Sequence, residues 1–190
     1  MNIHVCGRNF KIDPKKHGKL SMAAWNVRTL LDSAGRPKRR TAIIARELDR
    51  YGIDVAALSE TRFEATTQFE EVGAGYTFYC IGHPKGETRH GGVGFAIRSS
   101  LVSALQSSPL GISPRLMALP LTLENGDLAT LISCYAPTLN APQEEKEQFY
   151  EVLSAAAAVP YKQNLLCLET STLALGTNTS CGQRSSADTV

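Results

Sequence analysis

The sequence lacks the features that would place it in a membrane or mark it for secretion. Its 190 residues contain no run of about 18 apolar residues, the length that a membrane-spanning helix requires. Residues 1–20 contain no apolar stretch of the kind found in signal peptides. We therefore expect no membrane association, and the oligomeric state stays open.

Cysteine pairs at short spacing are also missing. The five cysteines are odd in number and none forms a C-x-x-C motif, so neither a disulfide framework nor a zinc site is indicated. They are Cys6, Cys80, Cys134, Cys167 and Cys181. A reducing, intracellular setting is the expectation, and a DNA-directed enzyme would belong in the nucleus.

A strong excess of charge of either sign is absent as well. The formal net charge is +2, which is too small to indicate a nucleic-acid partner by itself. Positive charge is concentrated locally in "GRPKRR" at residues 35–40, which includes Arg39 and Arg40. This cluster has two interpretations, as the solvated start of a helix or as a patch that contacts phosphate.

What is present is the composition of a globular protein of one domain, with 43% hydrophobic and 20% charged residues. Residues 1–20 show no strong periodicity and are predicted to form an irregular leader. Helical and strand patterns alternate from there to residue 168. One domain is therefore predicted over residues 21–168.

The first elements of that domain follow a strand, helix, strand order. "SMAAWN" predicts a short strand, and "KRRTAIIARELDRYG" has Ile43, Ile44 and Leu48 at helical spacing before Gly52, a typical C-terminal glycine. "IDVAALSE" is an almost continuous apolar run, as in a strand buried on both faces. This order is typical of a layered α/β or α+β domain.

Hairpins and a second helix follow. "GYTFYCIG" and "GGVGFAIRS" predict the two strands of a hairpin. Asn125-Gly126 joins two further strands, of which the first carries Pro120 and is predicted to lie at an edge or a bulge. "NAPQEEKEQFYEVLSAAAA" predicts a helix capped by Asn140 with Pro142 in its first turn, and "NLLCL" predicts one more buried strand.

Polar residues at the ends of three apolar strands form the candidate site. Asn26 ends the first strand, Glu60 follows the second, and Tyr135 follows "LISC". Reacting groups in layered α/β proteins collect where strands end and loops diverge. A carboxylate in such a place needs a positive partner, and Mg²⁺ is a natural partner for an oxygen ligand.

Each of these residues also has a structural interpretation. Glu60 can pair with Arg62 or cap a turn. Asn26 can be a turn residue, and Tyr135 can be a core aromatic with a satisfied hydroxyl. Their combination, in this order along the chain, favours a joint role.

Four motifs carry a resemblance to a known family. "WNVRTL", "GIDVAALSETRF", "GGVGFAI" and "LISCYAPT" resemble, in this order, the motifs of the endonuclease/exonuclease/phosphatase superfamily, the fold of DNase I and apurinic endonucleases. The similarity runs from about Ser21 to Leu168. The segments "ELDRYGIDVAALSETRF" and "CYAPTLNAPQEEKEQFY" are most similar to endonuclease domains of non-LTR retrotransposons and to the domesticated craniofacial development protein 2-like proteins.

The resemblance implies an α+β fold, namely an incomplete four-layer α/β/β/α sandwich of the DNase I type that contains mostly the N-terminal half with its helices. It also implies Mg²⁺-dependent hydrolysis of phosphodiesters, with DNA as the partner. In that scheme Glu60 is the Mg²⁺ carboxylate, and Asn26 organises the metal site and the substrate phosphate. Tyr135 would donate to a phosphate oxygen.

Further substrate contacts are expected from three residues outside that trio. Thr138 lies in the same "CYAPT" motif as the tyrosine. Arg39 and Arg40 would lie near the DNA backbone by analogy only. His90 in "RHGGVG" matches no role in the family.

The family pattern includes two segments that this sequence does not show. Members carry Gly-Asp-Phe-Asn directly after the strand that corresponds to "NLLCL", and the Asp of this motif positions the attacking water. A later Ser-Asp-His motif supplies a histidine at the phosphate. Here Leu168 is followed by "ETSTLALG". The four histidines lie upstream of the expected place, at His4, His17, His83 and His90.

The codons of Leu168 to Gly176 can regroup into the missing motif. If each new triplet takes the last base of one codon and the first two of the next, TTG-GAG-ACT-TCA-ACG-CTC-GCG-TTG-GGA reads Gly-Asp-Phe-Asn-Ala-Arg-Val-Gly. Codon choice is free within the degeneracy of the code, yet the match is continuous and lies at the expected position. We therefore expect a frame shift between about Pro160 and Leu165 and an out-of-frame tail over 169–190, the alternative being an evolved disordered tail.

Three function hypotheses remain open. The first is a DNA endonuclease lineage made inactive by the missing segments. The second is a non-catalytic remnant that binds nucleic acid or protein, and the third is a phosphatase. Because half of a sandwich would leave apolar surface uncovered, at about 25 cal/mol per Å², we also expect an exposed inner sheet face and an irregular tail.

Overall fold

The described part of the chain forms two β-sheets and three helices. The computed structural model describes residues 3–7, 20–32, 39–71, 73–84, 86, 91–105, 107–122, 128–158 and 164–169. In chain order the elements are β1 (Ile3–Gly7), β2 (Ser21–Asn26), α1 (Arg40–Arg50), β3 (Val55–Ser59), β4 (Thr66–Glu71), β5 (Tyr76–Ile81), β6 (Val93–Arg98), α2 (Ser99–Val102), β7 (Leu110–Ser113), β8 (Leu116–Thr122), β9 (Leu128–Cys134), α3 (Gln143–Ala158) and β10 (Asn164–Glu169).

The first sheet has six strands in the order β1-β2-β3-β6-β5-β4. Strands β2 and β3 are parallel, and Asn26 lies opposite Ser59 in this pair. The predicted hairpin of β5 and β6 is antiparallel and pairs Ile81 with Val93. Strand β3 is buried along its whole length, as its apolar sequence predicts.

Helix α1 ends as predicted at a glycine. Gly52 has a φ of +62°, and its N–H donates to the carbonyl of Asp49 at 2.9 Å. The N–H of Ile53 donates to the carbonyl of Leu48, also at 2.9 Å, which completes a Schellman motif. Both Leu48 and Ile53 are buried in the core under the helix, so the cap also fixes the entry into β3.

The second sheet has four strands in the order β10-β9-β8-β7. Strands β8 and β9 are antiparallel and pair Thr122 with Leu128, as expected for strands joined through Asn125-Gly126. The pairing of β7 ends where Leu110 meets Ala118, so Pro120 lies beyond it at a local edge, in agreement with its predicted position. Strand β10 runs parallel to β9.

The two sheets pack face to face, which makes the predicted exposure of an apolar inner face wrong. Strands β2, β3, β5 and β6 of the first sheet share one buried cluster with β8 and β9 of the second. Phe95 and Leu119, from opposite sheets, are both fully buried. The expectation failed because residues 110–169 supply a four-stranded second sheet, which covers the first.

Helices cover the outer faces and complete four layers. Helix α1 packs on the outer face of the first sheet through Ile44 and Leu48, next to Phe78. Helix α3 packs on the outer face of the second sheet through Phe149. The expected α+β sandwich of the DNase I type is therefore confirmed.

The structure at residues 3–7 and at the start of helix α3 differs from the predictions for these segments. Residues 3–7, within the predicted irregular leader, form β1 antiparallel to β2. Helix α3 begins at Gln143, and the N–H of Lys146 donates to the carbonyl of Pro142, so Pro142 rather than Asn140 holds the capping position. The tail beyond residue 169 lies outside the described residues, and no helix within them is both long and apolar enough to cross a membrane.

A tyrosine and an arginine close the end of the first sheet that lies near the start of β3. The buried hydroxyl of Tyr76 donates to the carbonyl of Ile53. The Arg98 guanidinium lies 5.2 Å from the ring centroid of Tyr76 and pairs with Asp49 and Asp54 at 2.8 and 3.3 Å. Burial raises the pKa of Tyr76 from 10.0 to about 12, although Arg98 partly opposes this.

The fold should therefore lose stability at alkaline pH through Tyr76. Because its pKa is higher in the folded than in the unfolded chain, its contribution is complete below about pH 10 and is lost as the pH rises through about 12. Thermal unfolding between pH 8 and pH 12 should show a shallower decline for Tyr76→Phe than for the parent protein. Tyr150→Phe, in an exposed side chain, is the control, and an equal decline in all three proteins would contradict the assignment.

Candidate active site

The predicted strand ends meet at one end of the sandwich. Because β2 and β3 are parallel and β3 stacks on β9, the carboxyl ends of all three strands lie together. The buried Ser133 hydroxyl of β9 donates to the carbonyl of Leu58 in β3 at 3.3 Å. This bond fixes the two sheets to each other directly below the candidate site.

Glu60 is the centre of the site. Its Oε1 accepts a hydrogen bond from Asn26 Nδ2 at 2.7 Å and a second from the Tyr135 hydroxyl at 3.0 Å. Arg62 Nη2 lies 4.0 Å from Oε2. Glu60 therefore pairs with Arg62, as its structural interpretation predicts, and also contacts the other two residues of the candidate site. The ion pair with Arg62 is the longest of these three contacts.

The backbone around Glu60 is in an unusual conformation. Glu60, Arg62 and Arg28 have φ values of +57°, +60° and +59°, although none of them is a glycine. Left-handed backbone costs about 1 to 2 kcal/mol for each ordinary residue. Such strain is typical of functional sites, where the surrounding structure imposes the conformation.

Asn26 holds Glu60 through its amide nitrogen. Its Oδ1 accepts a hydrogen bond from the N–H of Arg28 at 3.0 Å, so its Nδ2 faces the carboxylate of Glu60. Both bonds require the same orientation of the amide, which fixes the assignment of oxygen and nitrogen. In this orientation Asn26 positions Glu60 and does not present an oxygen beside it, so the predicted role in metal ligation stays a prediction.

Tyr135 reaches Glu60 from the second sheet. Burial raises the pKa of Tyr135, and the hydrogen bond and negative charge of Glu60 raise it further, whereas Arg115 and Arg62 lower it. The hydroxyl is therefore protonated at neutral pH. It can act as a hydrogen-bond donor to a ligand oxygen that takes the place of Glu60 Oε1.

Two glycines of the "GGVG" motif line the site. Gly91 and Gly92 have φ values of +76° and +83°. Their carbonyls accept hydrogen bonds from the N–H groups of Arg62 and Thr61, which hold the strained loop after β3. A Cβ at Gly92 would lie 2.6 Å from Thr61 Oγ1, so this position cannot take a side chain without displacement of the loop.

Among the described residues, the site offers one carboxylate, Glu60, to a divalent metal ion. Glu60 is a partly exposed carboxylate whose Oε2 makes no contact shorter than that with Arg62 in the described part of the chain. No group of three or more His, Cys, Asp or Glu side chains suited to a metal occurs among the described residues. Mg²⁺ accepts one or two carboxylates with water and substrate phosphate as the remaining ligands, so Glu60 would be its protein ligand.

The predicted substrate contacts lie in different surroundings. Arg39 Nη2 pairs with the buried Glu71 at 2.8 Å, which ties the start of α1 to β4. Arg40 lines a cleft of about 410 Å³ together with Asn26 and Arg28, and its Nη1 donates to a backbone carbonyl at 3.4 Å. Thr138 is exposed in the loop after β9. Arg40 is therefore the member of the predicted basic pair that lines a cleft shared with Asn26.

Strand β10 leads towards the same end of the molecule. It is parallel to β9, and Glu169 lies opposite Cys134, the residue before Tyr135. The chain thus leaves β10 level with the site. This is the point at which the Gly-Asp-Phe-Asn motif was expected and at which the sequence has "ETST".

Comparison with known proteins supports the family resemblance of the sequence motifs. A family model described as Endonuclease/Exonuclease/phosphatase family matches residues 23–168. The chain belongs to the endonuclease/exonuclease/phosphatase family. No curated protein matches the sequence.

Membership in the endonuclease/exonuclease/phosphatase family sets the general chemistry. The family contains phosphodiesterases and nuclease-type hydrolases with a DNase I-like fold, which generally use divalent metal ions and often act on nucleic acids. The matched region contains Asn26, Glu60 and Tyr135 and ends within β10.

Several residues at this site of the endonuclease/exonuclease/phosphatase domain were not predicted. Ser133 and Thr61 make the loop and sheet contacts below Glu60, and Arg115 contacts Tyr135. Thr61 and Ser133 lie next to predicted residues, so the motifs themselves contained a signal. Arg115 lies 20 residues before the tyrosine, and no local pattern connects the two.

The crowding at Gly92 can be separated from its backbone strain. Gly73 has nearly the same φ, +84°, but no atom lies within 4 Å of the place where its Cβ would be. Gly73→Ala should cost about 1 kcal/mol of unfolding free energy, and Gly92→Ala about 2 to 4 kcal/mol, because the second also displaces the loop of Thr61. Urea unfolding measures both values, and equal losses would show that the loop is not held against Gly92.

Proposed function

We propose that this chain carries the site of a Mg²⁺-dependent DNA endonuclease and that the chain as it stands does not cleave DNA. The observation that carries the first part is the meeting of Asn26 and Tyr135, from different sheets, on the single carboxylate of Glu60. A hydrolase of phosphodiesters needs positive charge and hydrogen-bond donors at the phosphate, and this geometry provides for both.

The residues have distinct tasks in this proposal. Bound Mg²⁺ would supply a positive charge that neutralises the charge developing on the phosphate. Glu60 would hold the ion, and Asn26 keeps the carboxylate of Glu60 in place through its 2.7 Å hydrogen bond. The Tyr135 hydroxyl would donate a hydrogen bond to a phosphate oxygen. Arg40 would contact the DNA backbone from the cleft that it shares with Asn26.

A retroelement origin is the finer part of the proposal. The proposal rests on two segments that resemble endonuclease domains of non-LTR retrotransposons, "ELDRYGIDVAALSETRF" and "CYAPTLNAPQEEKEQFY". Both lie within the matched region and include Glu60 and Tyr135. A DNA substrate for such a domain favours a nuclear location.

The proposed inactivity is supported by the sequence that follows β10. Catalysis in this scheme requires an Asp that positions the attacking water, and the register of β10 brings the chain to the site where this Asp would enter. In the sequence, Leu168 is followed by Glu169, Thr170, Ser171 and Thr172, whose codons, together with the last base of Leu168, can regroup into Gly-Asp-Phe-Asn. We infer an out-of-frame tail in a chain that keeps the metal carboxylate and the phosphate donor but has no group to position the water.

The proposal predicts no nicking of DNA. The purified chain, incubated with supercoiled plasmid and Mg²⁺, should produce no more open circles than Glu60→Gln, which leaves the side-chain volume nearly unchanged but removes the negative charge. Mg²⁺-dependent nicking that Glu60→Gln abolishes would show that the chain is active as it stands. Hydrolysis of a small phosphate ester without nicking would favour a phosphatase instead.

The cleft next to the site gives a separate prediction for DNA binding. If the endonuclease surface persists, short duplex DNA should bind in a salt-dependent manner, and Arg40→Gln should weaken binding and reduce the salt slope by about one ion. Arg39→Gln is the matched control, because that side chain is paired with Glu71. Binding that is lost equally in both variants would place the DNA elsewhere or indicate a folding defect.

The inferred tail is tested by the nucleotide sequence over residues 155 to 190 and beyond. The alternative frame should be open through the codons of Leu168 to Gly176 and should encode the Gly-Asp-Phe-Asn segment. A stop codon in that frame, or codons that cannot regroup in this way, would exclude the frame shift. The site geometry would be unaffected by that result.

A further inference from the structure

Arg115, which lies outside the four sequence motifs of the family, contacts Tyr135 in three ways. Arg115 lies in the turn between β7 and β8, and its carbonyl accepts the N–H of Tyr135 at 3.0 Å. Its Nη1 donates to the carbonyl of Tyr135 at 3.2 Å. The guanidinium carbon also lies 5.6 Å from the centroid of the tyrosine ring. These contacts fix both the backbone and the ring of the residue that reaches Glu60.

Helix α3 holds the guanidinium in this position. Arg115 Nη2 donates to Glu145 Oε1 at 2.6 Å, and the two side chains are 27% and 39% exposed. A pair with this exposure contributes little to the free energy of unfolding. Its effect is geometric, because a planar guanidinium can stack on a ring while its two Nη atoms bond different partners.

The remaining contacts of Tyr135 involve Gly91 at its ring and Glu60 at its hydroxyl. Gly91 lies close to the ring, since a Cβ there would be 3.6 Å from Cδ1 of the tyrosine. The hydroxyl then meets Glu60 at 3.0 Å. A connected series of contacts therefore runs from Glu145 on the outer helix through Arg115 and Tyr135 to the central carboxylate.

We propose that Arg115 is a positioning residue that fixes the direction of the Tyr135 hydroxyl, and that Glu145 holds Arg115 for this task. The proposal rests on the role of Tyr135 as phosphate donor given above. It assigns to α3, which packs on the outer face of the second sheet, a part in the geometry of a site formed between the sheets.

The chain contains a matched control for this contact. The Arg50 guanidinium lies over the ring of Tyr51 at the same distance, 5.6 Å, but both side chains are largely exposed at the end of α1. Arg50→Met therefore removes an arginine stacked on a tyrosine without affecting the site. Arg115→Met removes the same charge and retains the apolar stem of the side chain.

The test is ¹⁹F NMR of the whole chain with 3-fluorotyrosine at position 135 alone. In Arg115→Met the ring loses the guanidinium that stacks on it and the hydrogen bond to the Tyr135 carbonyl, so the ¹⁹F chemical shift at neutral pH should change and the resonance should broaden or divide as the ring takes more than one orientation. Glu145→Gln should change both quantities in the same direction by less. Arg50→Met should change neither.

A conservative variant separates positioning from charge. Arg115→Lys should restore part of the chemical shift, because the positive charge returns near the ring, but should leave the resonance broad, because an ammonium cannot stack and bond both partners at once. An unchanged chemical shift and line width in Arg115→Met, or a full return of both in Arg115→Lys, would overturn the positioning role. Glu145→Gln, at a partly exposed helix position, keeps the test available should Arg115→Met fail to fold.

The measurement is independent of turnover and therefore of the proposed inactivity. Nicking by the parent protein would overturn the proposed inactivity and leave the ¹⁹F result intact. The reverse outcome, no nicking and no change in ¹⁹F spectrum, would remove the role of Arg115 alone.

Discussion

The two hydrogen bonds that meet on one oxygen of Glu60 are the constraint on which the site depends. One comes from Asn26 at the end of β2, the other from Tyr135 beyond β9, so each sheet contributes one donor. Partial burial of the Glu60 carboxylate and the left-handed backbone of this residue both cost free energy. The surrounding contacts must therefore impose this conformation. The Ser133 bond to β3 and the glycines before β6 provide those contacts.

The family match ends within β10, and the second sheet explains how the site can form within the matched residues. Strands β8 and β9 cover the inner face of the first sheet, and α3 covers the second sheet in turn. Among the described residues, a buried core therefore lies between the two sheets, and a second lies between α3 and the outer face of the second sheet. What separates this chain from a complete hydrolase, in our proposal, is the sequence that follows β10 and not an open core.

Much of this arrangement could be predicted from sequence because it depends on local patterns. Periodicity and Gly52 gave α1, and the family motifs gave the trio of Asn26, Glu60 and Tyr135. Strand β4 was missed because "TTQFEE" is a polar edge strand with little apolar signal. Arg115 was missed because its role depends on a turn, a strand end and a helix that only tertiary packing brings together. The exposed inner face was wrongly predicted because the resemblance implied only half of a sandwich, whereas β8 and β9 cover that face.

The central claim, that Glu60 is the metal carboxylate of an assembled half of a hydrolytic site, is tested most directly by a crystal structure of the protein soaked in Mn²⁺ as a scatterer in place of Mg²⁺. The account predicts an anomalous peak at ligand distance from a Glu60 carboxylate oxygen, with Asn26 and Tyr135 still bonded to that side chain. A Glu60 side chain that contacts neither donor, or Mn²⁺ bound only away from it, would contradict the account.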